Sequence, residues 1–237
     1  MPELVAVPMD GQAESCWRCR TWTNWETGEC WNCNQNFQKL GMPAVPLDMI
    51  SLYEKPSQLR EWLTCYKGRL DESEPFIPEY VDVVKALIAR YFHEHGDRIL
   101  DRSPVDVIAV VPSSSRPAPH PLESVLNDLP LTVPVETLLS RGPGELGFNH
   151  PSQDGFLAID TQPRRVLLVD DVETTGARIN SAAYALTNAG HTLAGAFVAA
   201  RRINVGYKGT PAFWETQKNK GYTWSDGPLV NSQRSPS

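Results

Sequence analysis

Apolar positions along this chain fall into two periods, one short and one near 3.6. Residues 166–169 are all apolar and run directly into Asp170 and Asp171, the pattern of a strand buried on both faces. From Ile179 the period lengthens. Ile179, Ala183 and Leu186 share one face of a predicted helix that runs to Asn188, with Gly190 as its C′ residue. Residues 193–199 read as the next strand. Upstream, residues 105–111 form a β-branched apolar run stopped by Pro112, followed by a polar loop and a predicted helix over 122–129. A longer helix is predicted over 80–92, where Val83, Val84, Leu87, Ile88 and Tyr91 recur every three to four residues and Gly96 closes it. Leu59, Trp62 and Leu63 follow Ser57, an N-cap candidate, in a helix ending at Cys65-Tyr66-Lys67-Gly68. Residues 133–139 fit a strand or a partly helical segment. The Gly/Pro/Asn/Ser-rich stretch 140–156 reads as a long mobile loop. This β-α-β-α-β alternation predicts an α/β domain: a parallel sheet with helices on its faces and ligands at the carboxyl ends of its strands. The polar loops 112–116 and 170–178 both fall at such ends.

Composition sets bounds. With 237 residues, 41% of them apolar, the chain suffices for one ordinary domain and an appendage. A formal net charge of -6 excludes a surface that traps nucleic acid everywhere, though not a local basic patch. The N-terminus has no basic stretch followed by a long apolar run, and nowhere do eighteen apolar residues follow one another. Neither a secretion signal nor a membrane span is expected, and the expected location is cytoplasmic. Residues 1–15 read as a lead-in, 16–40 as a knuckle and 41–56, with Pro43, Pro46 and Pro56, as an extended connector around an apolar core at 45–52. Residues 57–205 read as the main domain. Residues 206–237 form a tail punctuated by Trp214, Tyr222 and Trp224, its last residues disordered.

The knuckle is defined by Cys16, Cys19, Cys30 and Cys33, spaced C-x₂-C-x₁₀-C-x₂-C. Two such pairs can place four thiolates around one Zn²⁺, closing its coordination shell in a structural rather than catalytic site. A pair of disulfides is the weaker alternative, because nothing marks the chain as secreted. Cys65 stands apart as a core thiol. Trp17, Trp22, Trp25 and Trp31 alternate with Arg18 and Arg20, which suits either a nucleic-acid stacking platform or, preferably, a face docked on the main domain. His93, His95, His120 and His191 show no metal spacing and read as surface residues.

In the stretch 166–178, loop amides and a helix N-terminus suit a phosphate, and Asp170 and Asp171 beside them can accept ribose hydroxyls or share a divalent metal. A strand ending in two acids also serves elsewhere to hold Mg²⁺ or cap a helix. The string as a whole resembles the PRPP-binding signature of type I phosphoribosyltransferases: apolar strand, two acids, two intervening positions, Thr-Thr-Gly. It departs at Glu173, where that signature has an apolar or aromatic residue, and at Arg178, where it has Thr or Ser. Taken with the knuckle, Tyr66-Lys67-Gly68, the strand and proline at 110–112, and Asn149 and Phe156, residues 16–202 resemble the ComF-type family of phosphoribosyltransferase-like proteins, associated with competence for DNA uptake. The resemblance implies a type I phosphoribosyltransferase-like parallel sheet flanked by helices, with a small N-terminal zinc-binding knuckle. It implies that Asp170 and Asp171 contact the ribose of PRPP directly or through Mg²⁺. Thr174, Thr175, Gly176, Ala177 and Arg178 would cradle the 5′-phosphate. Ser113, Ser114, Ser115 and Arg116 stand in the pyrophosphate loop, poorer in cations than the family's. Lys67 and Arg116 would contact pyrophosphate, Lys67 having an ordinary solvated side chain as its alternative. Glu173 is either a general base or a solvent-facing loop carboxylate. Residues 141–150 stand where a mobile hood closes, keeping only Arg141 and His150 as cations. The implied activity is Mg²⁺-dependent transfer of phosphoribosyl from PRPP to a nitrogenous acceptor. The alternative is a non-catalytic PRPP- or nucleotide-binding protein whose knuckle contacts DNA or a protein partner.

Overall fold

The structure is a computed structural model and describes residues 4–25, 28–113, 116 and 119–225. Its elements, in chain order, are α1 (Trp31–Leu40), β1 (Leu47–Tyr53), α2 (Gln58–Cys65), α3 (Glu79–Arg102), β2 (Val107–Val110), α4 (Pro121–Asn127), β3 (Leu139–Arg141), β4 (Phe156–Ala158), β5 (Arg165–Glu173), α5 (Ala177–Asn188), β6 (Thr192–Arg202) and α6 (Thr210–Asn219). β1, β6, β5 and β2 form one sheet in that order, every pair parallel. β3 and β4 form a separate antiparallel ribbon.

β5 shows why the sheet is buried on both sides. Val166 and Leu168 face one core layer with Ile179, Ala182, Ala183 and Leu186 of α5. Leu167 and Val169 face the other, with Leu59 and Leu63 of α2, Val84 and Ile88 of α3 and Leu122 and Leu126 of α4. The period of two along the strand thus meets the helical period on each face.

Several elements depart from the sequence expectations. The stretch expected as a connector contains β1, a strand with all seven residues buried. Two of them are polar and are satisfied inside: Asp48 by Arg102 at 2.6 and 3.1 Å, Ser51 Oγ by the Val5 amide at 2.8 Å. α3 does not stop at Gly96 but continues to Arg102. The helix-interior glycine costs about 1 kcal/mol against alanine, and burial of Ile99, worth roughly 1.5–3 kcal/mol, offsets it. Residues 133–139 form no helix: Val135 is bridged in parallel to Ile108, and Leu139 opens β3. The stretch expected as a long mobile loop is held in place: it begins and ends in the β3–β4 ribbon, and Ser152 N donates to Ser181 Oγ at 2.9 Å. Within the tail, Thr210–Asn219 form α6, which buries Phe213 and Trp214 and bonds Trp214 Nε1 to Glu54 at 2.9 Å, and the end expected to be disordered lies outside the described residues. Among the described residues no helix is long and apolar enough to cross a membrane.

Candidate functional site

The knuckle brings its four cysteines together. Cys16 and Cys33 sulfurs lie 3.7 Å apart, Cys19 and Cys30 sulfurs 3.4 Å apart, and all four lie within 4.8 Å of one another, buried and unbridged. A disulfide needs about 2.05 Å, whereas sulfurs about 2.3 Å from one tetrahedral Zn²⁺ stand roughly 3.8 Å apart. The spacing therefore fits a metal and not a pair of disulfides. Cys30 is the N-cap of α1, which sets Cys33 in its first turn. Both knuckle arginines are turned inward. Arg18 pairs with Glu29 at 2.6 Å and donates to the Ala44 carbonyl at 2.6 Å, while Arg20 is fully buried and pairs with Asp10. Of the two expectations for this segment, docking on the main domain is the one the geometry matches.

β5 does not end before the acids. It carries Asp170, Asp171 and Glu173 as strand residues, and only Thr174, Thr175 and Gly176 form the turn into α5. Every carbonyl of that turn is engaged from within. Thr174 O accepts from Arg201 Nη1, Thr175 O from Asn36 Nδ2 at 3.0 Å, and Gly176 O from Asn180 Nδ2 at 2.7 Å. Gly176 has φ +80°, and a Cβ there would meet Asn180 Nδ2 at 2.7 Å and Asn36 Nδ2 at 2.8 Å, so only glycine fits. With the carbonyls held inward, the first amides of α5, which have no intrahelical acceptor, form an anion cradle. Ala177 is buried at its base. Arg178 extends from the first turn of α5, donating to Pro112 O at 2.9 Å with its Nε 3.8 Å from Asp170 Oδ2.

Asp170 and Asp171 are both buried. Asp171 Oδ2 accepts from Tyr66 Oη at 3.0 Å and from the Lys67 ammonium, so Lys67 is not an ordinary solvated side chain. Burial pushes Asp170 up to about 6, partly opposed by the Arg178 guanidinium. Burial acts the same way on Asp171, but the Lys67 ammonium against it holds it well below the usual carboxylate range. One neighbour is thereby poised near neutrality and the other is fixed as an anion.

Glu173 answers to neither expectation. It is buried rather than solvent-facing, forms an ion pair with Arg201 on the knuckle side of the turn, and does not line the cleft described next, so it is not placed as a general base. Burial pushes its carboxyl up to about 8, against the opposing Arg201 charge.

A cleft of about 530 Å³ opens at the carboxyl edge of the sheet beside Asp171, Thr174 and Arg178. Its lining carries seven cations, Lys55, Arg60, Lys67, Arg69, Arg116, Arg178 and Arg202, against two carboxylates, Asp71 and Asp171. Arg60 and Arg69 share Glu74 and Lys67 meets Asp171, and the remaining cations leave this wall net positive in a chain of net charge -6. Burial lowers the Lys55 ammonium pKa, and Arg202, Arg60 and Arg69 lower it further. Arg202 Nε is buried with no partner among the described residues. Ser113 lines the cleft, and its Oγ accepts from the Arg116 amide at 3.1 Å, while Arg116 Nη2 donates to Gly68 O at 2.9 Å. Ser114 and Ser115 lie outside the described residues. Arg141 and His150 are used elsewhere. Arg141 donates to carbonyls of its own ribbon, Gly144 O at 2.9 Å among them, and His150 meets Lys39 at 3.3 Å.

The sequence reading missed Tyr66, Lys55, Arg60, Arg69 and Arg202 as parts of this site. Topology was the available signal for two of them: Arg202 ends β6 and Lys55 lies just past β1, where a parallel sheet presents its ligands. The histidine expectation is corrected as well. His93 is exposed, but His95, His120 and His191 are buried, His120 as the N-cap of α4.

Fold and site together define an α/β protein with a cation-lined cleft at the carboxyl edge of a parallel sheet and a tetracysteine knuckle packed beside it. The sequence matches no protein-family model and no curated protein. Among solved structures the chain is similar to the UMP synthase of Leishmania donovani, with 16% identity and a TM-score of 0.37 over 67% of this chain and 33% of that one. It thus spans about a third of that protein's length. It is also similar to the adenine phosphoribosyltransferase of Thermoanaerobacter pseudethanolicus, with 19% identity and a TM-score of 0.33 over 55% of this chain and 85% of that one.

Proposed function

We propose that the cleft binds PRPP with Mg²⁺ and transfers its phosphoribosyl group to a nitrogenous acceptor, releasing pyrophosphate. The observation that carries this reading is that one cleft brings together the turn into α5 at Thr174 and Arg178, the buried Asp171 with Asp170 beside it in β5, and a cluster of cations. PRPP has the matching groups: 5′-phosphate, ribose diol and pyrophosphate. The turn and Arg178 take the 5′-phosphate, and Asp170 and Asp171 accept the ribose hydroxyls. Lys67 and Arg116, supplemented by Lys55, Arg60 and Arg202, face the pyrophosphate. These supplements restore the charge that the loop at 113–116 lacks. The acceptor nitrogen forms a bond to C1 as the C1–O bond breaks and its electron pair leaves with pyrophosphate. The protein's part is to position both reactants and stabilise the charge on the departing oxygens. Asp170 and Asp171 offer the hard oxygen donors that Mg²⁺ prefers, and the bound ion supplies further charge neutralisation at the leaving group. Cys16, Cys19, Cys30 and Cys33 hold Zn²⁺ in a closed, structural site. Because Arg18 and Arg20 are engaged internally, the knuckle serves the fold in this reading rather than DNA.

Calorimetry with PRPP and Mg²⁺, followed by a pyrophosphate-release assay with bases and ammonia as acceptors, tests the proposal. Binding that Asp171→Asn abolishes, together with release, is the expected result. Binding without release from any acceptor removes the transfer step and leaves a PRPP-binding protein. No binding at millimolar PRPP removes both.

A further inference from the structure

The four knuckle cysteines are all buried, yet they are not equally placed. A second cavity, of about 460 Å³, adjoins the cationic cleft and shares Thr174 and Arg202 with it. Of the four cysteines, Cys30 alone lines that cavity. Thr174, Thr175 and Arg201 line it too, so one space touches both a knuckle sulfur and the phosphate turn. The volume is ample for water and for solutes of water's size. None of the described residues lining it is acidic, and Arg201 places a guanidinium there, a setting that favours a sulfur in its thiolate form.

Cys30 has a partner at hand. Its Sγ lies 3.4 Å from Cys19 Sγ, closer than the 3.7 Å between Cys16 and Cys33. A shift of about 1.4 Å brings the first pair to bonding distance. Each member of that pair also stands at the foot of a brace on the turn. Arg201 donates from Nε to Cys19 O at 3.2 Å and from Nη2 to Cys19 Sγ at 3.7 Å, while its Nη1 holds Thr174 O. Cys30 is the N-cap of α1, and Asn36 of that helix holds Thr175 O at 3.0 Å. A bond drawn between Cys19 and Cys30 therefore pulls on both braces at once.

We propose that Cys30 is a modification site for hydrogen peroxide, and that its oxidation closes a Cys19–Cys30 disulfide, releases the metal and loosens the phosphate turn. Peroxide enters through the cavity. The Cys30 thiolate attacks one peroxide oxygen: an S–O bond forms, the O–O bond breaks and hydroxide leaves, giving a sulfenic acid. The Cys19 thiolate then attacks that sulfur: the S–S bond forms, the S–O bond breaks and a second hydroxide leaves. Two thiolates are oxidised to one disulfide and one peroxide is reduced to two hydroxides. With two of its four ligands consumed, the site no longer holds Zn²⁺. The inference rests on the zinc and PRPP readings and adds a control to them: the knuckle becomes a redox input to the cleft as well as a brace.

The test is a titration of hydrogen peroxide into the zinc-loaded full chain. Zinc release is followed with a chromogenic chelator, disulfides are mapped by peptide mass spectrometry, and PRPP affinity is measured by calorimetry. Cys19–Cys30 is expected as the first disulfide, with zinc leaving in step. PRPP affinity is expected to fall roughly tenfold, the scale of a buried carbonyl left without its donor, and a thiol reductant with Zn²⁺ restores it. Cys30→His keeps a zinc ligand but no oxidisable sulfur, so it should retain zinc at peroxide concentrations that empty the wild type. If that variant does not fold, the wild-type disulfide map decides alone. A first disulfide joining any other pair, or zinc retained with every cysteine reduced in excess peroxide, overturns the inference. So does a Cys19–Cys30 disulfide that leaves PRPP affinity unchanged. A chain without zinc before peroxide defeats the zinc reading, and one that binds no PRPP defeats the phosphoribosyl reading; in either case the first disulfide still tests Cys30.

Discussion

Asp171 is kept ionised in a buried place by two unlike donors. Lys67 supplies charge, and Tyr66, 1% exposed, supplies a neutral hydroxyl at 3.0 Å. Burial first, and then the Asp171 charge, raises the Tyr66 pKa well above its ordinary value, so the phenol stays a donor at any working pH. Tyr66→Phe removes a hydrogen bond to a charged group at no cost in shape. A loss of about 1.5–3 kcal/mol is expected, or a fall in Tm of roughly 3–12 °C for a chain of this size. Weaker PRPP binding should accompany it. An unchanged Tm by scanning calorimetry would mean that Lys67 alone holds Asp171. His120 makes a separate prediction about pH. Its Nδ1 accepts from the Leu122 amide at 3.1 Å and so must carry no proton, and burial holds its pKa down to about 4. The folded value lies below the unfolded one, so the unfolded chain takes the proton first as pH falls. Stability that is complete above pH 6.5 should therefore decline toward pH 4, by at most ~3 kcal/mol from this group. His120→Asn keeps a capping oxygen without the titration. Denaturant unfolding at several pH values should show a flatter profile for this variant, and an identical slope in both proteins would remove His120 from the account.

The Thr174–Gly176 turn depends on elements far from it in sequence. Asn36 reaches it from α1, one turn beyond Cys33, and Arg201 reaches it from β6 while also donating to Cys19 O at 3.2 Å. A turn braced from the knuckle ties phosphate affinity to knuckle geometry. Asn36→Ala should leave the zinc content intact, leave Thr175 O without its donor and lower PRPP affinity about tenfold, in line with ~1–3 kcal/mol for an unsatisfied buried group. Calorimetric affinity within twofold of wild type would show that Arg201 and Asn180 suffice. None of this bracing was legible in the sequence, where one of three asparagines in a polar helix carries no period and no motif. The sheet itself was legible wherever composition was extreme. Residues 166–169 and the face of Ile179, Ala183 and Leu186 are apolar enough to declare a strand and a helix. β1 was hidden because Asp48 and Ser51 interrupt its apolar run and prolines flank it, and their burial is intelligible only once Arg102 and Val5 arrive as partners. The acids and the turn were visible because the chemistry is contiguous in the chain. Lys67, Arg116 and Arg178 were visible for the same reason, but the other cations, Lys55, Arg60, Arg69 and Arg202, were not, since they come from α2, the segment after it and the ends of two strands.

At the scale of the molecule the knuckle is continuous with the main domain. Cys16, Cys19, Cys30 and Cys33 belong to the same core layer as Leu168 of β5, Val198 of β6, Ile179 of α5 and Trp214 of α6. Trp22 lies over Gly209 so closely that a Cβ there would meet its ring at 2.5 Å, which ties the knuckle to the start of α6. Metal binding to such a cluster is coupled to folding of everything that packs on it. Four sulfurs this close cannot all be thiolates without a cation among them, so chelation should force protonation, spread the cysteines and open one side of the core. The expected cost is on the order of 4 kcal/mol, as for any ligand held about a thousandfold above its Kd, or a fall in Tm of roughly 10 °C. Scanning calorimetry of the zinc-loaded and chelated protein should therefore show one transition in each case, displaced as a whole, with phosphate affinity lost alongside. Two resolved transitions, the upper one unmoved by chelation, would make the knuckle an independent appendage. The braces on Thr174 and Thr175 would then have to act through Arg201 and Asn36 without the metal that positions them.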